Sequence, residues 1–481
     1  MMPHRPALLQ GREPDLEPDS MAGRSVQTDP VRSPSPEPLS DAERARGRRL
    51  AIASHPAGNA FGLALSEFLP TLALLALGAG ETLVGSQSAI RTGANLLQLP
   101  TLRRVARIPK RQILLRGHLL AVIGMLPLLA FGPLREAAAS GARWPAWIAL
   151  GSLAIASAGI SIGNTVWFPM LRAYVDPDRI GRFFGILRSG WHATLILFYV
   201  GSALWLARHP GGFAPLFGVV FALGILRFLL IFRMPEQSEL SSQAIRVREA
   251  FALVFADPRL RRLMTTVTTG QALRAAVLPF AIVMLRREVG FSDAQLLATT
   301  IASFTGGLVS LYFWGRIIDE RGAAVVFFAT SIGLALLTLC LLVVARAGEQ
   351  AFAGALLFFF GYALLAAGFG LADTHVLFRL TPVEAPARTL VAASVSVGLV
   401  AAIVPLVAGF GLERGLSITP DRILVYDVFF VIMALLQAVN WWPARGFGRA
   451  FDRQETRVPG AAEDPAGDLD HPQPASSETS T

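Results

Sequence analysis

Read for the spacing of apolar and polar positions, the chain is a series of continuous apolar stretches of about 20 residues separated by short charged turns. A stretch of that length crosses a hydrocarbon core of roughly 30 Å as a helix. Twelve such stretches are predicted, at about 59-79, 82-101, 112-132, 145-173, 182-207, 213-234, 262-285, 292-316, 323-345, 351-378, 387-412 and 422-442. None has the alternation of barrel strands, so the pattern predicts an all-α membrane protein and excludes a transmembrane barrel. The only long interruption, at 235-260, holds AIRVREAFALVF, whose apolar residues fall at helical spacing with arginines between them. That predicts a helix lying in the membrane interface.

Before the first stretch, residues 1-55 are rich in Pro, Ser, Asp, Glu and Arg, and residues 446-481 form a second polar tail. Both are expected to be disordered, since neither carries enough apolar content to offset the entropy of ordering. No short apolar leader with a cleavage site is read ahead of the first span. The organisation expected is a tail, a six-helix bundle over 56-234, a linker over 235-260, a second bundle over 261-445 and a tail.

Composition agrees: 53% of the 481 residues are apolar, 16% are charged and mean hydropathy is +0.50. The net charge of +9 raises the question of a nucleic-acid partner, but the basic residues sit at the ends of spans. With the N-terminus placed in the cytoplasm, the cytoplasmic connections carry 19 Lys and Arg and the opposite loops 8. This bias places both termini in the cytoplasm and makes basicity a matter of topology; the membrane expected is a bacterial inner membrane. Cys340 is the only cysteine, so no intramolecular disulfide forms.

The two halves repeat. GISIGNT (159-165) aligns with GFGLADT (368-374) at an offset of 209, which also carries Pro177 onto Pro386, Arg179 onto Arg388 and Leu69-Pro70 onto Leu278-Pro279. Two six-helix halves of like orientation, related about an axis along the membrane normal, describe a large class of secondary transporters.

Two loops carry a more specific signal. GRIIDERG, from Gly315 to Gly322, resembles the Gly-x-x-x-Asp-x-x-Gly loop signature of the major facilitator superfamily. VDPDRIGRFFG (175-185) resembles the Pro-x-x-Arg-Gly-Arg-Phe-Phe-Gly pattern many members carry between the fourth and fifth helices. The resemblance covers about 59 to 445 and implies a solute transporter working by alternating access. It also implies that Asp319, with Gly315, Arg321 and Gly322, latches the halves on the cytoplasmic side against the start of the fifth span at Arg179 and Arg182. A carboxylate is favoured beside a helix N-terminus, and the glycines suit close helix approach and a tight turn. The first half departs from the pattern, with Val105 where the acid aligns.

Charged and strongly polar residues near the bilayer centre are costly and mark cavities. At mid-depth the spans place Glu67, Arg91, Asn164, Arg188, His192, Gln271, Arg274, Asp373 and His375. The resemblance implies that the first, fourth, seventh and tenth helices line the cavity, and each holds one of these. Arg91, Arg188 and Arg274 against Glu67 and Asp373 leave one net positive charge, which favours an anionic or zwitterionic solute. Either carboxylate is a candidate for exchanging a proton. Arg227, near the end of the sixth span, is expected to snorkel to the interface.

No phosphate-binding loop, His-rich metal cluster or nucleophile elbow is present in the sequence, so neither ATP hydrolysis, a cofactor nor enzyme chemistry on lipid is expected. A transporter-like fold kept as a sensor remains open, as does efflux of drugs, although the fifth span lacks the Gly-Pro-rich signature of drug antiporters. The expected partners are a small solute, the bilayer and protons, with the chain acting as a monomer.

Overall fold

The computed structural model describes residues 39-65, 68-105, 107-175, 180-236, 247-381 and 386-448. Among them the chain is helical, without strands. Among the described residues, ten helices are long and apolar enough to cross a membrane, or eleven if Asp293–Ser310 and Phe313–Arg321, bent by 40°, count as one span.

The first helix starts well before residue 56. α1 (Asp41–Ala64) opens on a capping box in which the Ser40 hydroxyl accepts from the Glu43 amide at 3.3 Å and the Glu43 carboxylate accepts from the Ser40 amide at 3.0 Å. Apolar content alone missed this, because a cap satisfies orphan backbone donors whatever follows. Ser40→Ala is expected to fray the first turn at a cost of about 0.5-2 kcal/mol; hydrogen exchange over 41-46 faster than in the wild type checks it. α2 (Phe68–Ala76) completes the first span.

The second span is not one helix. α3 (Glu81–Gly93) gives way to a 3-10 turn, Ala94–Leu97, before α4 (Gln98–Val105), and the Asn95 side chain accepts from Gln98 Nε2 at 3.2 Å inside the break. Non-helical backbone at membrane depth is tolerated where it faces a cavity, and Asn95 and Gln98 do face one. The third span is similarly broken into α5 (Lys110–Gly124), α6 (Leu126–Leu129) and α7 (Phe131–Ala139). α8 (Trp144–Arg172), α9 (Ile180–Arg208) and α10 (Phe213–Phe232) complete the first half.

The expected helix in the linker forms as α11 (Val247–Ala256), with Val254 fully buried. The second half follows as α12 (Pro258–Arg287), α13 (Asp293–Arg321), α14 (Ala323–Val344), α15 (Ala351–Leu380), α16 (Pro386–Ile418) and α17 (Arg422–Val439). α11 packs against α16 and the start of α12. The chain stays ordered past residue 446, where the Ala324 amide donates to the Phe447 carbonyl at 2.8 Å. Gly322 ends α13 at φ 84°, ψ 162°, a conformation that favours glycine.

Two pairs of helices carry most of the contact between halves, α3 with α16 and α9 with α13. On the face opposite the chain ends, here the far face, one apolar core draws on both halves, from Phe61 and Phe217 to Phe280 and Phe430. On the terminal face, where α1 starts and α17 ends, the core divides. One cluster, including Trp167, Tyr174 and Ile231, belongs wholly to the first half. Another, including Leu263, Phe327 and Phe447, belongs to the second half together with Val254 of the linker helix. The apolar cores of the halves are thus joined at the far face and separate at the terminal face, although α16 still touches the 3-10 turn and α4.

Candidate functional site

A central cavity of about 340 Å³ lies between the halves. The first half contributes Arg91 and Gln87 from α3, His192 and Trp191 from α9, and Phe68 from α2; the second contributes Arg274 from α12, Phe304 from α13 and Tyr362 from α15. His192 is buried, with its ring centroid 3.8 Å from that of Trp191. The wall is tied across the halves by the Ser88 hydroxyl, which donates to the Ala275 carbonyl at 2.8 Å. Tyr362 accepts from Gln437 Nε2 at 3.1 Å, and Gln437 in turn accepts from Thr338 at 2.8 Å. Two guanidiniums and no carboxylate line the cavity among the described residues.

A second cavity, of about 490 Å³, lies toward the terminal face, where the core divides. This vestibule takes Asn164 and Trp167 from α8, Arg227 from α10, His55 and Asn59 from α1, and Gln271 and Asp373 from α12 and α15. Asn164 and Asp373, equivalent under the 209-residue offset, therefore face one space from the two halves. Asp373 and Thr374, neighbours on α15, face the vestibule and the central cavity respectively, as the 100° step of a helix directs. A small void of about 20 Å³ borders Arg274 on one side and Gln271 on the other.

Of the nine mid-depth residues named from the sequence, Arg91, His192 and Arg274 thus meet at the central cavity and Asn164, Gln271 and Asp373 at the vestibule. His375 borders neither. Glu67, Arg179 and the side chains of Arg182 and Arg188 lie outside the described residues.

Arg227 corrects the sequence reading. It does not snorkel: it is 8% exposed, its guanidinium carbon stands 5.1 Å from the Trp167 ring centroid, and it faces the vestibule. Gly58 makes the room, since a Cβ there meets the guanidinium. His55 and Asn59 are also absent from the sequence reading, because apolar content starts the first span at 59. The presence of a charge within an apolar run was the signal at Arg227, and its nearness to the span end hid it.

The far face is closed by a clasp that the sequence did not indicate. Glu81, at the start of α3, is paired with Arg287, at the end of α12, at 2.6 Å, and accepts from the Tyr426 hydroxyl at 3.0 Å. Arg287 also donates to the Ala79 carbonyl. Glu413 of α16 accepts from the Thr82 amide at 3.0 Å, where the α3 dipole favours an anion. Beside these, Gly85 and Gly409 bring α3 and α16 into backbone contact: a Cβ on Gly85 strikes the Pro405 carbonyl, and one on Gly409 sits 2.6 Å from the Glu81 carbonyl. Further ion pairs ring the same face, Arg286–Asp293 at 3.1 Å and Arg422–Glu288 at 2.8 Å. Asp427, in the last span, is bound by Arg346.

At the terminal face the loop Gly315 to Gly322 is exposed at Asp319 and Arg321, and Asp319 has no ion pair or hydrogen bond among the described residues. Gly322 fulfils the turn expected of it. Gly315 does not mark a close approach, because a Cβ there meets only Leu371 at 4.0 Å.

Comparison with known proteins adds three findings. A family model described as Major Facilitator Superfamily matches residues 57–405. No curated protein matches the sequence. Solved structures share the fold at low identity. The nucleoside transporter NupG, as its D323A mutant, superposes with a TM-score of 0.63 at 14% identity, over 84% of this chain and 99% of its own. A bacterial homologue of the iron transporter ferroportin, inward-facing, gives 0.60 at 16%, over 84% and 99%. A POT family transporter in complex with 5-aminolevulinic acid gives 0.60 at 13%, over 86% and 97%.

Proposed function

Because the chain belongs to the major facilitator superfamily, we propose that it is a secondary active transporter that moves a small anionic or zwitterionic organic solute by alternating access. The observation that carries this reading is the central cavity. Arg91 and Arg274 reach it from different halves, and aromatic rings complete its wall. Its volume suits a small ligand. A solute that satisfies both guanidiniums bridges the halves, so its binding energy differs between states, which is what drives a population shift.

The divided terminal face and clasped far face support a state open to the terminal side. The 19-to-8 distribution of basic residues supports placing that side in the cytoplasm. A latch at Asp319 that acts when the terminal face closes is disengaged in such a state, in keeping with the exposure of its side chain. Asp373 and Glu67 are the carboxylates proposed to exchange the coupling proton. The likeness to metal carriers is one of fold: among the described residues no three His, Cys, Asp or Glu side chains are grouped to hold a metal ion.

Purified protein in proteoliposomes, offered a panel of labelled carboxylates and zwitterions under an imposed pH difference, tests the reading. Accumulation of at least one is expected. Asp373→Asn is expected to abolish gradient-driven accumulation of a carboxylate while leaving its exchange intact, since that exchange needs the central cavity but no net proton movement. Absence of any carboxylate or zwitterion flux sinks the transporter reading for this class. Undiminished accumulation in Asp373→Asn and Glu67→Gln sinks the proton assignment.

A further inference from the structure

Four side-chain atoms of residues that line the vestibule are buried and have no hydrogen-bond partner among the described residues: Nε of Arg227, Nε1 of Trp167, Nδ1 of His55 and Oδ1 of Asp373. The three nitrogens all belong to the first half, and the oxygen belongs to the second. His55 Nε2 faces the Asn59 amide nitrogen at 3.0 Å, and that nitrogen also donates to the His55 carbonyl. With Nε2 accepting, the ring proton sits on Nδ1, which makes it a third donor. The Trp167 ring holds the group together: His55 stacks on it at 5.8 Å and 7°, and Arg227 lies over it.

Unpaired donors and a buried cation without a counter-charge are unfavourable inside a protein that spans a membrane. Arg227 comes from the first half and Asp373 from the second, both line one space and neither has an ion pair among the described residues, an arrangement that complements a molecule carrying both charges. We propose that the vestibule is a second solute site, distinct from the central cavity, that takes a small zwitterion. Its carboxylate sits on Arg227 and its ammonium on Asp373. A simple anion leaves Asp373 unserved, and a simple cation leaves Arg227 unserved. Asn164 and Gln271, which also line the space, supply neutral hydrogen bonds between the two ends.

Since the two charged walls belong to different halves, a bound zwitterion spans the divide at the terminal face. A carboxylate that exchanges a proton at one stage of a cycle is available to an ammonium at another. The site rests on the transporter reading only for the purpose it serves, because binding itself needs no transport.

The test is equilibrium binding to full-length protein in lipid nanodiscs, at neutral pH, of three probes of equal chain length: 6-aminohexanoate, hexanoate and hexylamine. The zwitterion is expected to bind at least tenfold more tightly than either of the others. That advantage is expected to vanish in Asp373→Asn, to vanish in Arg227→Gln, and to survive in Arg274→Gln, which alters only the central cavity and the small void beside it. Equal binding of the three probes, or an advantage untouched by Asp373→Asn, overturns the proposal. Asp373→Asn is nearly isosteric and keeps the test decisive if Arg227→Gln does not fold. Failure of proteoliposome transport with the advantage intact removes the transport reading and leaves the site; transport without the advantage removes the site alone.

Discussion

Arg287→Met is expected to move the protein toward a state open on the far face by roughly two orders of magnitude in population. Arg287 belongs to the second half and Glu81 to the first, so their pair exists only while that face is closed. The Glu81 side chain is 5% exposed and depends on Arg287 and Tyr426 for its partners. Removing one member of a buried pair costs about 3-5 kcal/mol, because the other charge is left without compensation. The hydroxyl of Tyr426 remains, which argues for the lower end, and about 3 kcal/mol corresponds to roughly a hundredfold change in an equilibrium constant. In the open state Glu81 meets water and the penalty disappears, so the whole effect falls on the balance between states. Spin labels at Ser140→Cys and Glu349→Cys, exposed positions on the far face of the two halves, read the separation in a Cys340→Ser background. Distances lengthened in Arg287→Met and partly restored by adding Glu81→Gln are expected. A distribution identical to the wild type refutes the clasp.

Arg274→Gln is expected to lower the efficiency of transport of anionic solutes by about thirtyfold or more. Truncating one partner of a buried, hydrogen-bonded charge pair costs about 2-5 kcal/mol, and the low end of that range already gives a factor near thirty. Arg274→Lys is expected to recover only part of the loss, since an ammonium restores the charge without the planar fork that matches a carboxylate. The wall behind Arg274 gives the control. Tyr362, Gln437 and Thr338 are linked to each other by hydrogen bonds that do not pass through Arg274, so they remain in the variant. If a neutral solute loses as much efficiency as a carboxylate, Arg274 shapes the cavity and does not bind the anion.

The helices were legible because an apolar run of span length has few other readings. The breaks were harder to see. Within 82-101 the leucines at 96, 97 and 99 keep the run apolar by count, yet the helix gives way over Ala94–Leu97, where Gly93 and Asn95 were the available signal. The mid-depth residues were found by the cost of burying charge, and six of the nine line one of the two cavities. What could not be read was partnership. Arg287 entered the count of loop charges that set topology, and nothing in one sequence ties it to Glu81, 206 positions away. Arg227 was discounted by its distance from a span end, whereas its environment depends on Trp167 and Gly58 of other helices.

The backbone contact between α3 and α16 bears on how the cell's energy store is protected. A gate held by long side chains alone admits a file of water whenever a rotamer swings, and water conducts protons. Gly85 against the Pro405 carbonyl and Gly409 against that of Glu81 leave no gap that a rotamer can open. A seam closed by backbone in this way insulates along its length, as is required of a carrier that sits in an energised membrane without short-circuiting it. Enlarging either glycine pries the insulation apart. Gly85→Ser is expected to make vesicles under a pH difference lose that difference faster than wild-type vesicles in the absence of any solute; equal decay means that the seal lies elsewhere.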